Sequence, residues 1–343
     1  MRMRLRRLSP ALGLILGTAL ALVGTLTTVG AAVATPATAF GPPTEGDKVI
    51  LADTSIDGPA LWTSPTGSMR AVIAWTGTDS AHRLNYMTSS TGLSFTNKHT
   101  LNETSPFRPA IAAVSTDANP TVELAWTGTD PAHHVNLLSG VPGLGYEKVT
   151  LHETSFTAPS LALNGGTVYL AWAGTDAIHS LNVVPVLWRG GLSIGTKVTL
   201  PQFSSISRPN IAFDPSGNQL VLSYTAPSGR ISFATSSDGI HWSVPSTSPL
   251  AEWSDVSSTM VGFATNNMPR YFVTWRGIDP AHSLNVQYTE NFPRWPLDDS
   301  KATLHEASFG GPTLGFVGTY RQVLVAWTGL DTAHHLNVAV ISM

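Results

Sequence analysis

Hydrophobic and polar positions in this chain alternate in short runs, four to a unit, and the unit recurs about every fifty residues. The first run of each unit follows a proline, at Pro59, Pro109, Pro159, Pro209 and Pro312, with Thr259 holding the place in the fifth unit. A sheet accepts proline at a strand's first residue because the missing N–H is not needed there. The second run ends in tryptophan, as in Val72-Ile73-Ala74-Trp75 and Val323-Leu324-Val325-Ala326-Trp327. The third begins at His-x-(Leu/Val)-Asn, as in His179-Ser180-Leu181-Asn182-Val183. The fourth reads Lys-x-Thr-Leu, as in Lys148-Val149-Thr150-Leu151 and Lys301-Ala302-Thr303-Leu304. Short β-branched runs bounded by turn residues predict strands.

Between the second and third runs the phrase Trp-x-Gly-x-Asp-x-x-His-x-(Leu/Val)-Asn occurs five times, from Trp75, Trp126, Trp172, Trp275 and Trp327. The intervals are 51, 46, 103 and 52 residues, so the long one spans a degenerate sixth copy, with Tyr224 where tryptophan is missing. Gly-x-Asp is turn chemistry: glycine takes positive φ and aspartate bonds nearby backbone. Six such units predict a propeller or a solenoid. The chain ends choose between them. Lys48-Val49-Ile50-Leu51 is a fourth strand lacking its first three, and Leu336-Asn337-Val338-Ala339-Val340-Ile341 is a third strand lacking its fourth. Joined, they complete a blade and protect the sheet edges. The fold class predicted is all-β, a closed six-bladed β-propeller of four-stranded antiparallel blades over residues 48–343, with the N-terminal strand completing the last blade.

Because strands in such a blade alternate in direction, the Gly-x-Asp-x-x-His hairpins and the segments before strand one share one rim. Those segments are Glu103-Thr104-Ser105, Glu153-Thr154-Ser155 and Glu306-Ala307-Ser308, with Asp53-Thr54-Ser55 serving the sixth blade. Arg108 and Arg208 each precede a strand-one proline, a position biased to extended backbone. Both are placed to reach the rim or the central funnel.

Residues 1–39 carry Arg2, Arg4, Arg6 and Arg7, no acid, and an apolar stretch from Ala11 to Ala34, which reads as a secretory signal. Ala32-Val33-Ala34 and Ala37-Thr38-Ala39 offer cleavage points, while the stretch is also long enough for an uncleaved membrane anchor. Arg6-Arg7 suggests bacterial twin-arginine export, although Leu-Ser-Pro is a poor context for it. Residues 40–47 read as a linker. The expectation is a secreted, extracellular monomer, or one anchored outside the cell if the leader stays. Of nineteen basic residues four lie in the leader, leaving fifteen against twenty-two acids, which argues against a nucleic-acid partner. Cysteine is absent, so core burial alone must hold the domain. Charged residues are 12% and Gly plus Pro reach 54 of 343, which suits strands and turns rather than long helices.

The opposite rim carries Ser236-Ser237-Asp238-Gly239-Ile240-His241-Trp242, and Ser89-Ser90-Thr91-Gly92-Leu93-Ser94-Phe95 without the aspartate. Both fall between strands three and four and resemble the Asp-box of sialidases and related BNR-repeat propellers. That resemblance implies the propeller fold, with the box structural and pointing away from the active face. A sialidase would also need three arginines gripping a carboxylate, a tyrosine nucleophile with a glutamate partner, and an aspartate acid. Arginine suits the grip because its fork binds carboxylate bidentately. Candidates are Arg108, Arg208 and Arg276 or Arg270, with Tyr271 or Tyr288 as nucleophile, and no spacing singles them out.

Each repeated residue has two readings. The tryptophans pack between blades, or they offer platforms for sugars. Asp79, Asp130, Asp176, Asp279 and Asp331, with His82, His133, His179, His282 and His334, bond within hairpins, or line a ring of shallow pockets with Glu103, Glu153 and Glu306 for sugar hydroxyls. Several weak sites would then gain by avidity. Two ligands three apart on a turn complete no coordination sphere, so no metal is expected, nor any cofactor. His134 and His335 duplicate the motif histidine in two blades only and read as surface variation. The fourth unit, Tyr224-Thr225-Ala226-Pro227-Ser228-Gly229-Arg230, loses Asp and His and runs two residues shorter, a place where the rim could open to a ligand. The leading functional expectation is a non-catalytic propeller binding carbohydrate or another cell-surface ligand on the hairpin face. The alternatives are a sialidase-type glycoside hydrolase and a structural or protein-binding propeller.

Overall fold

The computed structural model describes residues 42–342, apart from 65–67, 114–120, 142–144, 189–190, 246–249, 266–267, 296–299 and 317–321. The leader at 1–39 and its cleavage points lie outside the described residues. The chain forms a six-bladed β-propeller. Blade 1 consists of Ala60–Thr63, Ala71–Thr76, Arg83–Ser89 and Phe95–Thr104. Blade 2 consists of Ala110–Ala113, Val122–Thr127, His134–Val141 and Gly145–Thr154. In blade 3, Ser160–Asn164, Thr167–Ala173 and Ser180–Leu187 are followed by an outer strand split into Ser193–Ile194 and Val198–Ser204. Blade 5 holds Thr259–Thr265, Met268–Arg276, Ser283–Thr289 and Lys301–Ala307.

Blade 6 takes Thr313–Phe316, Gln322–Thr328 and His335–Ser342 from the C-terminal end and Thr44–Thr54 from the N-terminal end. In the joining ladder Lys48 stands opposite Ala339 and Ile50 opposite Asn337. The closing strand starts at Thr44, so residues read as linker already pair with Ser342 and Ile341. In blade 4 the fourth position runs through residues 243–253, of which 246–249 lie outside the described residues. Asn210–Asp214, Gln219–Thr225 and Ile231–Ser236 form its inner three strands, and among the described residues the fourth pairs through the bridges Thr235 to Ser243 and Arg230 to Trp253.

Strand one begins directly after each proline, at Ala60, Ala110, Ser160, Asn210 and Thr313. In blade 5 it begins at Thr259 itself, so Ser258 and not Thr259 fills the proline's place. Six apolar clusters make the core, one at each blade interface. In each, the aromatic ending strand two lies against the preceding blade: Trp126 on Leu84 and Tyr86, Trp172 on Ala125 and Val135, Trp275 on Ile231 and Phe233. Trp327 lies in the cluster of Phe272 and Leu284, Trp75 in that of Ala326 and Leu336, and Tyr224 in that of Ala171 and Leu181. All five tryptophans are fully buried. Of their two readings, packing is therefore the one the structure adopts, since a large ring contributes most where it is wholly desolvated.

Candidate functional site

Each letter of the repeated phrase has a task in the hairpin rim. The glycine after tryptophan allows close approach: a Cβ on Gly174 would stand 2.8 Å from Asp176 Oδ2 and 3.0 Å from Asn182 Nδ2, and the other four copies are equally tight. The aspartate caps the turn. Asp176 accepts the N–H groups of Ile178 and Ser180 at 3.2 and 3.0 Å, and Asp79, Asp130, Asp279 and Asp331 accept the equivalent pairs. His134 and His335, read as surface variation, also place their rings on these caps, with Nδ1 at 2.7 and 2.8 Å from Asp130 and Asp331. Burial tends to raise the Asp130, Asp279 and Asp331 carboxyls, but hydrogen bonds from His134, Ser283 and His335 outweigh it and hold all three below the ordinary carboxylate range.

The histidine supplies backbone as well as side chain. His82, His133, His179, His282 and His334 all have φ between 52° and 60°, a left-handed conformation uncommon outside glycine. That turn aims each histidine carbonyl at the serine leading into the following blade segment, as in Ser155 N–H to His133 O at 3.0 Å and Ser55 N–H to His334 O at 3.0 Å. In blade 4 the same bond runs from Ser254 N–H to Gly229 O at 3.0 Å, and Gly229 has φ 81°. Where histidine is lost, glycine takes over its backbone role. The motif asparagine then ties strands three and four: Asn182 donates to Ser180 O at 2.9 Å and accepts from Thr199 Oγ1 at 2.8 Å.

Between blades the rim is bridged by ion pairs. Lys98 pairs with Asp53, Lys148 with Glu103, Lys197 with Glu153, Lys301 with Glu252 and Lys48 with Glu306. Each lysine belongs to the blade after that of its acid. Four of these ammonium groups also sit 5.2–5.5 Å from the ring centroid of their own blade's tryptophan, at Trp75, Trp126, Trp275 and Trp327. The expected candidates Glu103, Glu153 and Glu306 are thus paired with lysines that sequence reasoning passed over. A groove of about 290 Å³ opens at one such junction, lined by Asp53, Thr54, Asp79, Arg83 and Lys98 with the edge of Trp75. Threonine hydroxyls meet across three junctions, Thr54 with Thr78, Thr104 with Thr129 and Thr154 with Thr175. At the junction of blades 3 and 4 a ring contact, Phe203 on Tyr224 at 5.9 Å, stands where the others have acid and tryptophan.

The same rim exposes apolar rings and chains. Phe156 stacks on the His179 imidazole at 3.7 Å between centroids, and Phe309 meets His334 edge-on at 4.1 Å. Trp253 lies under the Arg230 guanidinium at 5.8 Å, so the shortened hairpin of blade 4 is covered on that side. Phe156, Phe309 and Trp253 are exposed, as are Ile178, Ile206, Ile278 and Leu330 on the same face. Single exposed apolar residues on interrupted repeat positions carry no period-2 signal, which is why the sequence pattern did not mark them.

Of the arginines proposed for a carboxylate grip, Arg108 and Arg208 are neighbours near the axis, while Arg276 and Arg270 lie apart from them and from each other. Arg108 is buried at the axis of the ring, donating to Pro59 O at 3.1 Å, to Gly311 O and to Ser257 Oγ, which ties blade 2 to blades 1, 6 and 5. Arg208 lies near the axis, with Nε on Pro159 O at 2.7 Å. Arg276 is on the hairpin rim, paired with Asp255 at 2.6 Å, and Arg270 is near the opposite rim, 3.5 Å from Glu290. Tyr271 donates to Asp214 at 2.9 Å toward that opposite rim, where burial and the Asp214 charge push its phenol up. Tyr288 is buried in the core between blades 5 and 6. Among these candidates no three-arginine grip with a tyrosine beside it is assembled. In the hairpins that resemble the Asp-box, Ser236 Oγ accepts Gly239 N–H at 2.8 Å and Asp238 accepts Ile240 and His241 N–H at 2.8 Å each. Ser89 accepts Gly92 N–H at 2.8 Å in the other copy, and Thr91 Oγ1 takes the aspartate's part toward Ser94 N–H at 3.0 Å. Among the described residues no group of three or more His, Asp or Glu side chains gathers as a metal site.

No protein family and no curated protein matches the sequence. Solved structures do match in fold. The six-bladed lectin of Aleuria aurantia, described with a fucose recognition mode, superposes with a TM-score of 0.59 at 11% identity over 84% of this chain and 92% of its own. AofleA of Arthrobotrys oligospora gives 0.58 at 12% identity, over 87% and 86%. Trypanosoma rangeli sialidase gives 0.57 at 10% identity over 87% of this chain, which spans 58% of that enzyme. At such identities the likeness is one of fold.

Proposed function

We propose that this protein is a secreted, non-catalytic propeller that binds glycans on its hairpin face, in the grooves between blades. The observation that carries the reading is the five-fold recurrence of a lysine–carboxylate pair at these junctions. Sugar hydroxyls are both donors and acceptors, so a half-exposed ammonium beside a carboxylate offers the two complements in one place. The apolar face of a sugar would lie on the exposed rings, Phe156, Phe309 and Trp253, rather than on the buried tryptophans. Glycan-binding propellers of this shape, the fucose lectins among them, support the reading. The groove at the Asp53–Lys98 junction is small, so single sites are expected to be weak and the ring to act through avidity.

The test is a glycan array probed with the leaderless domain, alongside a fluorogenic sialoside assay. Array binding that falls when Lys148→Met and Lys197→Met are introduced together, with no sialoside turnover, is expected. Absence of binding to any glycan sinks the proposal, and turnover of the sialoside replaces it with the hydrolase. Secretion is tested by whether the chain, made with its leader, collects outside the cell.

A further inference from the structure

The innermost strands of all six blades enclose a central cavity of about 440 Å³, within the usual range of small-molecule sites. Its wall is mostly apolar and partly aromatic, with Trp62, Ile111, Leu163, Phe213, Val261 and Phe316 lining it, and it carries polar side chains, Asn210 and Thr259 among them. The first six come one from each blade, so the wall is continuous around the axis. At the hairpin end stands Arg208, which lines the cavity although only 8% of its surface is exposed.

Arg208 differs from its neighbour Arg108 in how its donors are used. Both terminal nitrogens of Arg108 are bonded, to Pro59, Gly311 and Ser257. The guanidinium of Arg208 donates only from Nε, to Pro159, so to described residues its terminal nitrogens make no hydrogen bond. Among the described residues the carboxylate that acts on Arg208 is Asp57, which is already taken up by the N–H groups of Gly58 and Arg108. Two guanidinium cations therefore face one carboxylate at the hairpin end of a mostly apolar cavity. Burial and the neighbouring Arg108 charge both disfavour the Arg208 cation, a penalty that an incoming anion would relieve.

We propose that the central channel binds a monoanionic amphiphile, a carboxylate with a single medium-length alkyl chain. Its carboxylate takes the free fork of Arg208 bidentately and its chain lies along the aromatic wall. The excess of one positive charge matches a carboxylate better than a phosphate dianion. This site is distinct from the rim grooves and takes one ligand per ring.

Calorimetric titration of the leaderless domain with sodium decanoate, below its micelle concentration, tests the assignment. One site is expected, with decanol bound at least tenfold more weakly and hexanoate weaker than decanoate. Arg208→Met should weaken decanoate at least tenfold. Val261→Trp should block the channel while the melting temperature stays within a few degrees of the parent. No decanoate binding up to millimolar concentration, equal affinity for decanol, or unimpaired binding by the Val261→Trp protein would each overturn the proposal. The decanol comparison and the blocked variant decide the question even if Arg208→Met fails to fold. Failure of glycan binding at the rim would leave these measurements unaffected.

Discussion

Glu123 stands opposite Ser139 in the ladder of blade 2, 3% exposed, on a strand whose other residues are hydrophobic apart from its terminal threonine. Among the described residues its carboxylate accepts one hydrogen bond, from Ser139 Oγ at 2.8 Å, and Ser139 in turn accepts from Trp188 Nε1 at 3.0 Å. Burial pushes this carboxyl up from 4.5 to about 7, against a small lowering by the Ser139 bond. The folded state therefore prefers the proton more than the unfolded state does. Below pH 4.5 both states hold it and the group costs nothing. Between pH 4.5 and 7 the unfolded chain releases it first, and above pH 7 the folded protein carries a buried anion. A displacement of that size corresponds to about 3 kcal/mol lost by pH 8. Glu123→Gln keeps the shape and an acceptor for Ser139, and removes the charge. Differential scanning calorimetry of both proteins from pH 4 to pH 8 is the assay. The expected melting temperatures coincide near pH 4 and separate with rising pH until the variant is higher by roughly 5–10 °C at pH 8. A gap that is constant across the range, or a parent protein whose stability rises from pH 5 to pH 8 relative to the variant, would refute the argument.

Asp176→Ala removes a cap that serves two backbone N–H groups and one hydroxyl, and because the carboxylate is exposed the loss should be about 1 kcal/mol, read as a fall of roughly 2–4 °C in melting temperature. If the aspartates served ligand alone, the melting temperature would not move. His133→Gly relieves a left-handed φ of 58° and gains unfolded-state freedom, so stability should stay within about 1 kcal/mol of the parent. Denaturant unfolding checks this, and a loss of several kcal/mol would show that the imidazole, not the backbone, matters there. Trp126→Ala opens the interface between blades 1 and 2 and should cost about 3–5 kcal/mol, measurable as a lowered urea midpoint. A cost under 1 kcal/mol would contradict the packing assignment.

Blade number, closure and the core were legible in the sequence because they rest on period and on large aromatics, which local pattern records. Trp75 and its repeats marked the strand ends at the interfaces, with packing one of the two readings the sequence allowed. The rim was read less completely. Glu103 and Lys148 stand 45 residues apart, and only a superposition of neighbouring units shows that the lysine of one meets the acid of the one before. Both residue types recur at fixed places in the repeat, so that signal was present and unused. The left-handed backbone of His133 left a fainter trace, visible only through Gly229 in the unit where histidine is missing. For Arg108 the sequence left the rim and the central funnel both open, and its engagement with Ser257, 149 positions away, depends on ring closure and on no local pattern. Ile50 shows the converse: it takes the threonine position opposite Asn337, and the closing strand tolerates the change because that side chain is exposed.

The last blade joins segments far apart in the chain, with Thr44 hydrogen-bonded to Ser342 across 298 positions. During synthesis the segment Thr44–Thr54 must therefore wait unpaired for His335–Ser342. Until then the strand His335–Ser342 and the segment Thr44–Thr54 are open edges, each able to pair with the same segment's partner in another copy. Fast closure within one molecule has to outrun that exchange, which makes ring closure a concentration-dependent race. Dilute refolding should yield monomeric rings, and crowded refolding should yield chains linked through a shared sixth blade.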